Sequence, residues 1–137
     1  DVWSHKQLLK IVSHPPVEVD LFGRLQASLY WIDVPRRFVP SDRKLYSWWS
    51  YRNNDWRASN RGRRLDHIWA SRALKDGVSD FRITKDARGW ERPSDHVPVT
   101  VTLSSQTSGI NVTQAYFVLF IRTITVVPIQ SATTARS

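Results

Sequence analysis

The chain has 137 residues, 20 Lys and Arg against 12 Asp and Glu, and neither cysteine nor methionine. That length suits one domain of about 100–200 residues, and 41% hydrophobic with 23% charged residues is a globular composition, not a disordered one. The absence of cysteine excludes a disulfide scaffold, a zinc–thiolate site and a cysteine nucleophile and fits a reducing cytosol. The net charge of +8 points to a polyanionic partner, most simply nucleic acid. No basic segment followed by an apolar run opens the chain, so no signal peptide is expected.

Residues 1–35 read as a loop and helices leading to a strand. Leu8, Leu9 and Val12 make a short helical stripe over residues 5–12. Pro15 and Pro16 end it, and Pro16 is placed to open a second helix carrying Val19, Phe22 and Leu25. The aromatic and branched residues of 29–34 predict a short buried strand. Farther on, 45–51 is aromatic-rich and strand-like, and 55–63 is an arginine-rich loop with Asn60 and Gly62 as turn residues. Residues 64–70 alternate Leu65, His67 and Trp69 with Asp66, Ile68 and Ala70, the period of a strand. A further strand is predicted at 81–84. Another is predicted at 97–103, where Pro98 weakens the N-terminal end or marks an edge. After residue 104 acidic residues vanish and Ser and Thr rise. The apolar run 116–129 is interrupted by Arg122 and too short for a membrane helix of about 20 residues. It reads as one or two strands, or as sequence outside the domain, and no internal repeat is found.

Residues 36–92 hold 15 Lys and Arg against seven Asp and Glu, which accounts for the entire +8. Five of the seven tryptophans, Trp48, Trp49, Trp56, Trp69 and Trp90, lie in the same stretch. Cations interleaved with flat rings suit DNA, where the cations neutralise phosphates and the rings stack on bases. The same pattern also describes a solvated basic face over an aromatic core. Two motifs carry chemistry within or beside it. Ser94-Asp95-His96 precedes the strand at 97–103, and a histidine there can handle a proton or bind a phosphoryl oxygen near neutral pH. The tripeptide also describes a simple turn and strand cap. In Asn60-Arg61-Gly62-Arg63-Arg64-Leu65-Asp66, a carboxylate enters an apolar strand, which is costly unless paired. His96 is the obvious partner, and a nearby arginine is the alternative.

The runs Leu45-Tyr46-Ser47-Trp48-Trp49-Ser50-Tyr51-Arg52, Asn60 to Asp66, and Pro93-Ser94-Asp95-His96-Val97-Pro98-Val99 occur in that order. Together they closely resemble the C-terminal half of the bacterial exonuclease III and apurinic/apyrimidinic (AP) endonuclease family, alphaproteobacterial in type. This family lies within the endonuclease/exonuclease/phosphatase superfamily. Asp1-Val2-Trp3-Ser4-His5-Lys6-Gln7 is similar to the segment after that family's Gly-Asp-x-Asn motif. The likeness spans residues 1–104. Ser-Asp-His alone admits phosphatases and sphingomyelinases; the other runs favour the DNA-repair branch.

The resemblance implies an α/β (α+β) fold, the C-terminal half of a four-layer sandwich of two packed mixed β-sheets flanked by helices. Residues 105–137 form a tail without counterpart. By the same resemblance His96 matches the active-site histidine at the scissile phosphate, and Asp66 the carboxylate that orients it and favours its charged form. Asp95 matches the neighbouring carboxylate tied indirectly to the metal. Trp48 and Leu65 match the abasic pocket, Arg52 and Asn60 positions near the DNA backbone, and Arg61 and Arg64 phosphate contacts. Arg63 stands where some relatives carry an apolar or aromatic pocket residue. The implied cofactor is Mg²⁺, with Mn²⁺ as an alternative, and its main ligands are expected upstream of Asp1. There the family carries an Asn, a Glu, a Tyr and Gly-Asp-x-Asn. The implied partner is double-stranded DNA with abasic sites or 3′ ends, in a cytoplasmic, nucleoid setting without a membrane. The expected function is that of a fragment of a Mg²⁺-dependent DNA-repair nuclease, cutting 5′ to an abasic site. By the same resemblance this chain alone is expected to be inactive, because the metal-binding and nucleophile-activating residues would lie upstream of Asp1; the alternative reading is a catalytically inactive fragment that retains non-specific DNA binding.

Overall fold

The computed structural model of the chain describes residues 1–12 and 14–103, and the backbone of 117–120. Helical structure begins at Ser4, whose hydroxyl accepts a hydrogen bond from the Gln7 amide and caps α1 (His5–Leu8). The stripe expected over 5–12 shrinks to this turn: Leu8 is buried, while Leu9, Ile11 and Val12 are exposed. Pro16 does open α2 (Pro16–Ser28), because proline at the first turn lacks only an N–H that the helix leaves unused. From α2 the Phe22 ring packs on His67 and Trp69, at centroid distances of 4.6 and 4.8 Å. The buried strand expected at 29–34 is corrected to two residues, β1 (Ile32–Asp33), with Leu29 and Tyr30 exposed. Pro35 sits in the first turn of α3 (Val34–Phe38), so the chain turns from strand to helix without a loop.

Central to the first sheet is β2 (His67–Ala70). β1 pairs with it antiparallel, Ile32 opposite Ala70 and Asp33 opposite Trp69. On its other side β5 (Phe117–Phe120) also pairs antiparallel, His67 opposite Phe120 and Ala70 opposite Phe117. The remainder of 105–137 lies outside the described residues. A second sheet pairs β3 (Val78–Ile83) with β4 (Val99–Leu103), with a bulge between Val78 and Asp80. The strand predicted at 97–103 starts late because Pro98 has no N–H for the ladder; its carbonyl accepts from the Thr84 amide at 3.0 Å instead. The strand expected at 45–51 is not formed. That segment stays extended and makes single bridges through Trp48, one to Arg63 and one to His96. The loop expected at 55–63 contains one short helix, α4 (Trp56–Ser59), capped by Asp55.

The α/β expectation therefore holds as two small antiparallel sheets with helices. Ile68 and Ala70 of β2 pack with Val34, Leu74, Val78, Val99 and Val101, joining the two sheets and α3 in one core. Trp69, on the opposite face, is fully buried as well, because Phe22 of α2 covers it. A second core of Trp49, Ala87 and Val97, flanked by Tyr46, Trp56 and Ile83, holds the segments that carry the motifs. Among the described residues no helix is long and apolar enough to cross a membrane.

Burial has a cost at His67. Its Nδ1 has no hydrogen-bond partner among the described residues. Burial, reinforced by the Arg64 charge and partly opposed by Asp33 and Asp66, lowers its pKa from 6.5 to about 4. The folded protein thus keeps His67 neutral where the unfolded chain protonates it. Stability is intact above about pH 6.5 and falls as the pH drops toward about 4, by an amount on the order of 3 kcal/mol. His67→Leu removes the titration and keeps an apolar contact for Phe22. Urea midpoints at about pH 7 and about pH 4.5 should fall together less in the variant than in the parent.

Candidate active site

Three irregular segments, 45–50, 60–66 and 93–97, meet because the first one bonds to both of the others. The Ser47 and Trp48 amides donate to the Arg63 carbonyl, each at 3.0 Å, and the Arg63 amide donates back to the Trp48 carbonyl at 2.9 Å. On the other side the Trp49 amide donates to the Asp95 carbonyl and the Val97 amide to the Ser47 carbonyl, both at 2.9 Å. Ser47 is fully buried, and its hydroxyl accepts from the Leu65 and Asp66 amides at 3.2 and 3.1 Å. That hydroxyl fixes the backbone from which the Asp66 side chain departs.

Asp66 is 2% exposed, and its two carboxylate oxygens lie 2.8 and 3.1 Å from His96 Nδ1. A carboxylate so deeply buried needs a donor. Since an ionised carboxylate only accepts, Nδ1 carries the proton and the ring's orientation is set. Beside it, the Trp48 indole Nε1–H donates to Asp95 Oδ2 at 2.9 Å. The Asp66–His96 pair, the Asp95 carboxylate and the anchored Trp48 indole are thereby brought together. The two acidic residues are bound differently, Asp66 to a ring that can carry charge and Asp95 to a neutral N–H.

The other residues singled out in the sequence fall in three places. Leu65 is half-buried beside Asp66, and Arg52 is exposed. Arg61 is also exposed, its guanidinium 5.0 Å from the Trp3 ring centroid. Asn60 adopts a left-handed φ of 45° at the end of α4, and its Oδ1 accepts from Trp49 Nε1 at 3.3 Å and Lys85 Nζ at 2.9 Å. Arg64 points elsewhere: its guanidinium is buried and makes a two-pronged pair with Asp33, at 2.8 and 2.5 Å. Arg63 is buried too, 5.4 Å from the Trp48 ring centroid, with Nη2 donating to the Val12 carbonyl at 2.5 Å. Burial lowers the pKa of its guanidinium, partly opposed by Glu18.

Sequence reading missed Ser47 and Arg88. Arg88 is 6% exposed, its Nε donates to the Trp49 carbonyl at 3.2 Å, and it lies against the rings of Tyr51 and Trp56. Neither residue belongs to a periodic pattern, and an arginine in a polar stretch reads as surface. Gly62 is explained by space. A Cβ there would lie 2.6 Å from Tyr46 Cγ and 2.7 Å from Tyr46 Cβ, too near the backbone for a rotamer change to relieve. Gly62→Ala is expected to cost about 1–3 kcal/mol, seen as a lowered urea midpoint at unchanged m-value; an unaltered midpoint would show that Tyr46 yields.

Among the described residues no three His, Asp or Glu side chains converge as a metal-binding group. Asp95 contributes one carboxylate, already engaged by Trp48.

Comparison with known proteins gives a consistent picture. Residues 6–96, more than half of the chain, match the Endonuclease/Exonuclease/phosphatase family. Exodeoxyribonuclease III of Haemophilus influenzae is 39% identical over 67 residues, covering 49% of this chain and 25% of that protein. DNA repair nuclease APEX1 of Danio rerio is 38% identical over 104 residues, covering 76% and 32%. The structure of an AP endonuclease from Archaeoglobus fulgidus aligns with a TM-score of 0.69 at 24% identity, over 75% of this chain and 39% of that one. At that identity the likeness is one of fold. The chain spans between a quarter and a third of the length of these two sequence relatives.

Proposed function

Since this chain belongs to the endonuclease/exonuclease/phosphatase family, in its exonuclease III and AP endonuclease branch, we propose that its Asp66–His96 pair serves the hydrolysis of DNA phosphodiesters at abasic sites and 3′ ends. The observation that carries this reading is the carboxylate of Asp66, 2% exposed and held on His96 Nδ1 at 2.8 Å. Such burial holds the ring in a single orientation, as a group acting on a phosphate requires. His96 would meet a non-bridging phosphate oxygen through Nε2, and Asp66 would stabilise the charge that a protonated ring carries. Trp48, pinned by Asp95, would offer its ring to a sugar that has lost its base. Such a sugar leaves the stack cheaply because no pairing is broken. Arg52 and Arg61 would meet the DNA backbone, drawn in by the charge concentrated in 36–92.

A divalent cation, Mg²⁺ or Mn²⁺, belongs to this reading, and when bound it would polarise the phosphodiester. The described residues do not make a site for it alone. The steps above are therefore those of the chain's own side chains. On this reading, the principal cation ligands and the group that activates water come from sequence that the relatives have in addition.

Incision of a duplex carrying a tetrahydrofuran abasic analogue, in Mg²⁺, tests the proposal on the 137-residue chain. Cleavage 5′ to the analogue leaving a 3′-hydroxyl is expected once the cation ligands and the water-activating group are also supplied, and its loss in His96→Ala would tie it to the Asp66–His96 pair. A second reading, an inactive chain that binds DNA without sequence preference, is favoured by the share of the relatives' length that this chain covers. It is supported if no cleavage occurs at high protein concentration while DNA affinity falls steeply with salt.

A further inference from the structure

We infer that Arg88 is a positioning residue for the group formed by Trp48, Asp95 and His96, a role that rests on the nuclease reading for its catalytic consequence but not for its geometry. Its guanidinium lies against two aromatic rings, with centroids 4.8 Å away at Tyr51 and 5.8 Å away at Trp56. It donates through Nε to the Trp49 carbonyl at 3.2 Å and through Nη2 to the Ser50 carbonyl at 3.5 Å. Arg88 is 6% exposed, and among the described residues no carboxylate lies in ion-pair contact with it. Burying a guanidinium against carbonyls and ring faces alone is an expensive way to gain stability. What it supplies is geometry, since a planar fork can hold two successive peptide carbonyls at once while stacking on rings, and an ammonium cannot.

Those two carbonyls belong to the residues that follow Trp48. The Trp49 amide donates to the Asp95 carbonyl at 2.9 Å, and Trp48 bridges to His96. The clamp is closed from the other end by Tyr51, whose hydroxyl donates to the Pro93 carbonyl at 2.7 Å, one residue before Ser94-Asp95-His96. Tyr51 therefore ties the segment that carries Trp48 to the one that carries His96, and Arg88 holds the Trp48 side of that tie through the Trp49 and Ser50 carbonyls and the Tyr51 ring. A displacement of about 1 Å at reacting groups can cost about 10²-fold in rate.

The test reads the site without requiring turnover. In ¹⁵N spectra of the 137-residue chain, the Trp48 indole signal (assigned with Trp48→Phe) and the pH titration of the His96 ring are followed in Arg88→Lys and Arg88→Ala. The inference expects a folded variant in which both readouts move, no recovery with lysine at position 88, and recovery of both in Arg88→Ala when free guanidinium is added. If the chain incises DNA, kcat should fall by about 10²-fold with KM little changed. A folded variant with parental Trp48 and His96 signals overturns the inference. So does failure of both variants to fold, which would make Arg88 a general folding residue. Shifted signals in a chain that never cleaves would leave the clamp standing and sink the nuclease reading.

Discussion

His96→Ala is expected to lower the incision rate on the abasic duplex by about 10²–10⁴-fold, the range that a positioned proton-handling group contributes. Asp66→Asn should cost less, about 10–100-fold, because it leaves the imidazole in place and removes only the charge that orients it. The pair works as a unit, with the carboxylate 2.8 Å from Nδ1 and 2% exposed. The double variant should therefore be no slower than His96→Ala alone. Additive losses would show that Asp66 acts by some route other than through the ring. Rates for the two single variants and the double, taken at one Mg²⁺ concentration with folding checked by circular dichroism, decide this. A rate unchanged in His96→Ala would remove the candidate site from the reaction altogether.

How much of this was legible in the sequence depends on what each residue's position rests on. The Asp66–His96 pairing could be read as one of two choices, because a lone carboxylate in an apolar alternation demands a partner and His96 or a nearby arginine could supply it. Pro16 and Pro98 could be read because proline's missing N–H acts locally, opening α2 and delaying β4. The stretch 45–51 could not. Its aromatic composition favours a strand, but its amides are drawn to the Arg63 and Asp95 carbonyls on two sides, a tertiary arrangement that leaves bridges and no ladder. Arg64 is a similar case. Arg61, Arg63 and Arg64 look alike in sequence, yet it is Arg64 that pairs with Asp33, because β1 lies beside β2. Arg88 had no sequence signal, since a buried guanidinium held by carbonyls is recognisable only once the carbonyls are placed.

Adjacent tryptophans at 48 and 49 should separate site from scaffold. Trp49 is 2% exposed, set edge-on to Tyr46 and Trp56 in the core that holds the motif-bearing segments. Trp49→Ala should cost about 3–5 kcal/mol, the usual range for removing a large aromatic from a core. Against a total stability of about 5–15 kcal/mol this leaves a substantial unfolded population or abolishes the fold. Trp48 is only half-buried, and its ring is held by one indole hydrogen bond to Asp95 and by contact with Arg63. Trp48→Ala should lower stability less, by about 1–3 kcal/mol. Its larger effect should fall on the preference for the abasic duplex over an intact one, because the lost ring is the one proposed to receive the base-free sugar. Urea midpoints and relative affinities for the two duplexes are the paired measurements. If Trp48→Ala unfolded the chain as readily as Trp49→Ala, the indole at 48 would be part of the scaffold and the pocket would have to be sought elsewhere. If it left both stability and duplex preference unchanged, Asp95 would be holding a ring with no role in recognition, and the 2.9 Å hydrogen bond would serve only to hold the two segments together.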